Sequence, residues 1–184
     1  MMSYQDKNVR PSSSQDKDTG LSSRIAVRGL LIALALVLSW VESRIPVFFA
    51  VPGMKLGLTN LVVLIALYRL SALDALLINI VRILLAGLTF GNMFSVVYSL
   101  AGGMLSFLVM LVLKRSGRFH MVTVSITGGV FHNVGQIIVA ILVLGSGYVT
   151  WYLPVLWISG IADGAVIGLI SAQIVRRLPD SFGR

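Results

Sequence analysis

Six apolar stretches, most of them about the length of a membrane-spanning helix, follow one another along the chain and are separated by short polar or glycine-containing segments. The hydrocarbon core of a bilayer is about 30 Å thick, so a spanning helix needs about 20 mainly apolar residues. The second stretch is short for a span. The pattern predicts an all-α polytopic membrane protein, a six-transmembrane-helix bundle with helices near residues 25–41, 56–70, 73–90, 93–113, 121–144 and 152–175.

The two ends of the chain differ from this apolar middle. Residues 1–24 are rich in Ser, Asp, Lys and Gln and contain few large apolar side chains, a composition typical of disorder. The apolar run that follows is too long for the apolar region of a signal peptide. We therefore predict a disordered cytoplasmic tail at 1–24, a membrane domain at 25–178 and a short cytoplasmic tail at 179–184.

Lysine and arginine residues lie mainly on one side of this arrangement. They precede the first span, lie between spans 2 and 3 and between spans 4 and 5, and follow span 6, whereas the other loops contain only Arg44 and Lys55. Loops rich in Lys and Arg generally stay in the cytoplasm. We expect a multi-pass protein of the cell membrane with both termini cytoplasmic. This topology, rather than nucleic-acid binding, explains the net charge of +8.

Polar residues interrupt several of the apolar stretches near their centres. A charge at the bilayer centre costs about 3 kcal/mol on insertion scales, so such residues usually face the bundle interior and serve a ligand, an ion or each other. In the topology above they fall in one slab that is displaced toward the outside, which predicts a pocket open to the outside. The predicted substrate-binding residues are Lys55, Asn60, Asn79, Arg82, His132, Asn133, Gln136 and Asp163.

The charges in this set favour an anionic ligand. Arg82 carries a planar guanidinium that suits carboxylate or phosphate, and Lys55 adds a charge at the mouth. His132 and Gln136 are four residues apart and share a helix face. Two structural alternatives remain open: Arg82 pairs with Asp163, because buried charges are usually paired, or His132 forms a hydrogen bond between helices.

The loop before the second stretch, residues 42–55, is apolar and aromatic and contains two prolines. It suits either a lid over the outer mouth or a segment anchored in the membrane interface by Phe48 and Phe49.

Small residues are spaced along the first stretch at Ala26, Gly29 and Ala33. Small side chains allow helices to approach closely in a membrane. We predict that this patch docks a partner, and ordinary packing inside the bundle is the alternative.

Enzyme signatures are absent from the sequence. The chain has no cysteine, no Walker motif, no Gly-x-Ser-x-Gly and no His-Glu-x-x-His. Its few acidic residues are too scattered for a magnesium-diphosphate site. We therefore predict no catalytic residues, no metal site and no cofactor.

Four segments carry a resemblance to a known family. They are PGMKLGLTNLVVL at 52–64, RILLAGLTFG at 82–91, YSLAGG at 98–103 and HNVGQ at 132–136. They resemble the Gx transporter family, whose members are often labelled heptaprenyl diphosphate synthase component I, and the resemblance covers about residues 25–175. That family is similar to the substrate-binding S components of energy-coupling factor transporters.

The resemblance implies an S-component bundle with an outward-facing pocket, whose ligand is typically a vitamin or its precursor. It also implies a coupling protein with two ATPase subunits as partner. In S components a small-residue motif on the first helix contacts the coupling protein. Ala26, Gly29 and Ala33 stand in that place, although a strict Ala-x-x-x-Ala is absent.

Two functions of different class follow. In the first, the chain captures a small anionic vitamin, redox cofactor or isoprenoid-like ligand for uptake. In the second, it is a non-catalytic membrane component of a heptaprenyl diphosphate synthase.

Overall fold

The computed structural model describes residues 13–44, 57–145, 147–179 and 182. Within these ranges all regular structure is helical, which confirms the all-α prediction. The helices are α1 (Ser13–Arg44), α2 (Leu58–Arg69), α3 (Ala72–Phe90), α4 (Met93–Ser116), α5 (Met121–Leu144) and α6 (Leu153–Arg177), with a 3-10 helix, Gly147–Tyr152, before α6.

Five of these helices, α1 and α3 to α6, are long and apolar enough to cross a membrane. With 12 residues, α2 extends about 18 Å, well short of the roughly 30 Å of a hydrocarbon core. The second stretch is therefore short, as predicted, and the described residues contain six α-helices of which five have spanning length. Their number and composition indicate a multi-pass membrane protein.

The first helix is longer than the sequence pattern predicted. It begins at Ser13 rather than near Ile25 and continues to Arg44, so residues 13–24 of the expected disordered tail are helical. Residues 1–12 of that tail lie outside the described residues. So do residues 45–56, which include most of the expected lid, and the lid stays a prediction.

Local sequence signals set several helix ends. The Ser71 hydroxyl accepts a hydrogen bond from the Asp74 backbone N–H at 3.1 Å, and the Asn92 side chain accepts one from the Ser95 N–H at 2.8 Å. These N-caps satisfy backbone donors that have no partner inside the helix. At the C-terminal end of α4, Gly117 has φ of 67°, a left-handed conformation that glycine adopts without steric cost.

The helices pack as a closed ring. α1 contacts α3, α3 contacts α4, α4 contacts α5, α5 contacts α6, and α6 contacts α2, which returns to α1 and also touches α3. Seven of the 12 residues of α2 are buried, so this short helix is mostly enclosed by its neighbours. A helix that is too short to cross the membrane is tolerated inside the bilayer where protein rather than lipid surrounds it.

Glycines bring α5 and α6 into close contact. A Cβ atom at Gly129 would lie 2.4 Å from the Gly160 carbonyl oxygen, and one at Gly164 would lie 2.6 Å from the Ile126 Cα. The two backbones therefore approach closely in the way that small residues permit in membranes. Gly129 and Gly164 therefore serve packing inside the bundle.

The bundle has two distinct ends. At the basic end, where α2 and α4 finish, Arg28 pairs with Asp74 (Nε to Oδ1, 2.7 Å). In the same region Arg69 donates to backbone carbonyls near the end of α6 and Lys114 donates to the Leu67 carbonyl. A buried apolar core lies between this end and the middle of the bundle, and it includes Leu31, Ala35, Leu64, Leu67, Ile78, Phe107 and Val124. At the opposite end α1 and α3 finish and α2 and α4 begin.

Candidate functional site

A cavity of about 200 Å³ lies at the opposite end of the bundle, among the ends of α1 and α3 and the beginnings of α2 and α4. We call it the large cavity. The apolar core separates it from the basic end. Its polar and charged lining consists of Ser39, Glu42, Ser43, Thr59, Asn60, Arg82, Ser95, Ser99 and His132.

Arg82 is held on the wall of the large cavity by four hydrogen bonds. The side chain is 6% exposed. Its Nε and Nη2 atoms donate to the Asn79 Oδ1 at 3.1 and 2.8 Å, Nη1 donates to the Thr59 hydroxyl at 2.5 Å, and Nη2 also donates to the Asn60 Oδ1 at 3.1 Å. All three partners are neutral, so they fix the guanidinium without neutralising its charge.

Asn79 supports Arg82 rather than lining either cavity described here. It precedes Arg82 by three residues on α3, and its Nδ2 donates to the Gly103 carbonyl of α4 at 3.1 Å. That bond orients the amide so that its oxygen faces the guanidinium. Asn79 therefore holds Arg82 in place, and its predicted contact with substrate stays a prediction.

The alternative pairing of Arg82 with Asp163 is not found. The hydrogen bonds of the guanidinium go to Thr59, Asn60 and Asn79, whereas Asp163 lines a different cavity. Arg82 remains a buried cation on the wall of an open space.

Glu42 also lines the large cavity. It lies in the last turns of α1, and its Oε1 accepts a hydrogen bond from the Gly57 backbone N–H at 2.6 Å. This bond connects the end of α1 to the beginning of α2. The large cavity therefore has a carboxylate contributed by α1 and a guanidinium contributed by α3.

A second, small cavity of about 20 Å³ lies deeper, between α2, α4, α5 and α6. Asn60 and His132 line both cavities, so the two share a polar wall. The other polar residues that line the small cavity are Ser106, Ser125, Asn133 and Asp163.

Of the two remaining predicted residues on α5, Asn133 lines the small cavity and Gln136 packs against α4. Asn133 lines the small cavity while its Nδ2 donates to the Leu156 carbonyl of α6 at 2.6 Å. Gln136 is 1% exposed, packs against Gly102 of α4 and lines neither cavity. Lys55 lies outside the described residues, and its role stays a prediction.

Hydroxyl groups are the main lining residues that the sequence analysis missed. Ser39 and Ser43 are four residues apart on α1, and Ser95 and Ser99 are four apart on α4. Residues at this spacing share a helix face. Pairs of serines at this spacing within apolar helices were therefore a readable signal for a polar cavity.

The small-residue patch on α1 faces away from the bundle. Ala26, Gly29 and Ala33 are all exposed, and a Cβ at Gly29 would have no atom within 4 Å. Gly29 therefore does not pack inside the bundle, and the alternative of internal packing does not hold for it.

Within the described ranges, no three His, Asp or Glu side chains cluster as a metal site. The residues that do converge are suited to hold a small polar molecule in the large cavity.

The sequence model of one protein family, described as heptaprenyl diphosphate synthase component I, matches residues 31–174. The matched region is 144 of the 184 residues and includes the C-terminal part of α1, all of α2 to α5, nearly all of α6 and every residue that lines the two cavities. No curated protein and no solved structure shows significant similarity to the chain. The chain therefore belongs to the heptaprenyl diphosphate synthase component I family.

Proposed function

We propose that the chain is the substrate-binding membrane subunit, or S component, of an energy-coupling factor type uptake transporter. It captures a small anionic vitamin, redox cofactor or isoprenoid-like ligand from the outside. The observation that carries the proposal is Arg82, a buried and fixed cation on the wall of a cavity of about 200 Å³.

The electrostatics of Arg82 support an anionic ligand. A buried charge is costly unless it is paired, and the hydrogen-bond partners of Arg82 are neutral oxygens. Glu42 lies on the wall of the same cavity, but none of the four hydrogen bonds of Arg82 goes to it, so a ligand carboxylate or phosphate can add a charge-assisted hydrogen bond to the guanidinium. Because Asn79, Thr59 and Asn60 already hold the guanidinium, little ordering is required when the ligand binds.

The position of the large cavity supports capture from the outside. It lies at the end opposite the Lys- and Arg-rich loops, and such loops generally stay in the cytoplasm. The apolar core closes the route toward the basic end. Both termini are then cytoplasmic, and the large cavity opens to the exterior of the cell membrane.

The partner we propose is a coupling protein with two ATPase subunits. The exposed patch of Ala26, Gly29 and Ala33 supports close approach of a helix from another membrane protein. The chain itself acts by binding rather than by catalysis, and the energy for uptake comes from the partner.

Mass spectrometry of small molecules released from the purified protein tests the proposal. We expect an anionic compound from the wild-type protein, much less of it from Arg82→Ala, and a normal amount from the Arg69→Ala control. Recovery of the same compounds at the same level from Arg82→Ala would contradict the assignment of the site.

The family description favours a second function. It names a component of heptaprenyl diphosphate synthase, which suggests a non-catalytic membrane subunit that assists a soluble synthase. Prenyl diphosphates are also anionic, so Arg82 serves either function and the partner discriminates between them. Stable co-purification with a prenyl diphosphate synthase, and none with a coupling protein, would favour the second function.

A further inference from the structure

The small cavity between α2, α4, α5 and α6 has room for a single particle. Its volume is about 20 Å³, and a site needs roughly 10–15 Å³ on this kind of measure to hold one water molecule. A vitamin-sized ligand does not fit there, so an occupant of the small cavity differs from the ligand of the large cavity.

Two polar groups facing the small cavity have no direct partner among the described residues. Ser106 is 1% exposed and its hydroxyl oxygen makes no hydrogen bond. No hydrogen bond or ion pair joins the Asp163 carboxylate to another described residue. A carboxylate in the middle of a membrane-spanning helix is strongly disfavoured without compensation, and an orphaned buried hydroxyl adds to that cost.

The rest of the lining supplies further oxygen atoms. Ser125, a buried serine, lines the small cavity. The amide nitrogen of Asn133 is engaged with the Leu156 carbonyl, which leaves its Oδ1 as an acceptor. Carboxylate, hydroxyl and carbonyl oxygens together form a set that suits a hard cation rather than a soft metal.

The charge and size of the site select a monovalent cation. Among the described residues that line the small cavity, Asp163 is the one acidic side chain, and the nearby Glu42 shares the large cavity with the cation Arg82. A single positive charge therefore balances Asp163. A divalent ion would leave a net charge in a region of low dielectric. Mg²⁺ in addition keeps several of its water molecules in protein sites, and the small cavity lacks room for them.

We propose that the small cavity binds one alkali cation, held by the Asp163 carboxylate and the Ser106 and Ser125 hydroxyls. This site is separate from the anion site at Arg82 and does not depend on the proposed transport function. Asn60 and His132 line both cavities, so an ion in the small cavity lies directly behind the wall of the large cavity.

Thermal unfolding of the full chain in detergent, without added ligand, tests the site with Na⁺ and K⁺ as the probes. Unfolding is measured in NaCl, KCl and choline chloride at equal ionic strength. We expect Na⁺ or K⁺ to raise Tm by about 3 °C over choline at ten times its Kd. In Ser106→Ala and Asp163→Asn this rise should fall to less than half.

Ser171→Ala is the matched control. Ser171 is a fully buried serine whose hydroxyl also lacks a partner among the described residues, and it lines neither cavity. The cation-dependent rise should persist in this variant. If Asp163→Asn does not fold, Ser106→Ala and Ser125→Ala decide the question.

Equal Tm values in all three salts would overturn the proposal and assign the small cavity to water. A rise that survives in Ser106→Ala and Ser125→Ala at full size would overturn it as well, because the ion would then bind elsewhere. Either outcome leaves the anion site untouched, since no ligand enters the measurement.

Discussion

The two ends of the bundle each contain partly or fully buried cationic side chains, but they satisfy them in different ways. At the basic end, Arg69 and Lys114 donate to backbone carbonyls in the last turns of α6 and α2 or just beyond them, and Arg28 pairs with Asp74. At the opposite end, Arg82 donates to neutral side-chain oxygens and borders the large cavity.

Under the proposed function, this difference separates structural cations at the basic end from a ligand-binding cation, Arg82, at the opposite end. The last carbonyls of a helix lack partners inside the helix and carry a partial negative charge. Arg69 and Lys114 therefore donate to carbonyls of the fold itself and hold helix ends together. Arg82 is oriented by neutral side chains of the fold, and under the proposed function its charge binds an anion that enters the large cavity.

The largest expected effect comes from a change that should abolish partner docking and leave ligand binding intact. Gly29→Trp places a bulky side chain on the exposed patch of α1, so we expect it to abolish association with the coupling protein and uptake in cells. Ligand binding by the isolated subunit should survive, because Gly29 touches nothing inside the bundle. Co-purification and direct binding assays measure the two properties.

Leu30→Trp is the control for this change. Leu30 is 64% exposed and points about 100° away from Gly29 around the helix, so its replacement should leave association intact. Normal co-purification of Gly29→Trp would rule out the patch as the docking surface. Loss of ligand binding as well would show that the two ends are not independent.

The second effect concerns the binding charge. Arg82→Ala should weaken affinity for the co-purified anionic compound by more than tenfold, because the only cation that the described residues place on the large-cavity wall is removed. The variant should still fold, since water can enter the large cavity and satisfy Thr59, Asn60 and Asn79. Equilibrium binding and size-exclusion chromatography in detergent check both expectations. Unchanged affinity would show that Arg82 has a structural role and does not bind the ligand.

The third effect is the reverse of the second: a change at Arg69 should lower stability and leave ligand affinity unchanged. Arg69→Ala removes charge-assisted hydrogen bonds to the end of α6, each worth about 1.5–3 kcal/mol in a typical protein. We expect a loss of about 2 kcal/mol in the free energy of unfolding and no change in ligand affinity. Denaturant unfolding measures the first and equilibrium binding the second. A change in affinity would show that the basic end communicates with the large cavity.

The sequence predicted which residues are polar at which depth, but not where each side chain points. Arg82, Asn60 and His132 were expected near one another, and they line the large cavity. Gln136 was expected beside them and instead packs on Gly102. A helix that faces lipid on one side and protein on the other is apolar around its whole circumference, so hydrophobic periodicity does not reveal its inner face.

Glu42 and the length of α2 show a second limit. Glu42 enters the large cavity because it hydrogen-bonds the Gly57 N–H at the beginning of α2, a contact between residues 15 positions apart that no local pattern encodes. The shortness of α2 was visible in the sequence. Its enclosure by α1, α3 and α6 became clear only from the packing.

The smallest expected effect tests whether Asn79 acts through Arg82. Asn79→Ala removes two of the four hydrogen bonds that fix the guanidinium but leaves its charge in place. We expect roughly a threefold loss of affinity, because the ligand must now order a more mobile side chain as it binds. Equilibrium binding of the co-purified compound, measured beside Arg82→Ala, gives the comparison.

A second replacement at the same position sharpens the argument. Asn79→Asp introduces a carboxylate at the place where the amide oxygen now accepts from Arg82, and this carboxylate competes with an anionic ligand for the guanidinium. Affinity should fall further than in Asn79→Ala, because the buried cation gains a partner. Affinity is the measured quantity here, since the replacement also removes the bond from the Asn79 Nδ2 to the Gly103 carbonyl and that loss offsets the gain in stability. If Asn79→Asp binds the anion as well as the wild-type protein does, Arg82 is not the anion-binding group. If Asn79→Ala is as damaging as Arg82→Ala, Asn79 contacts the ligand itself rather than positioning Arg82.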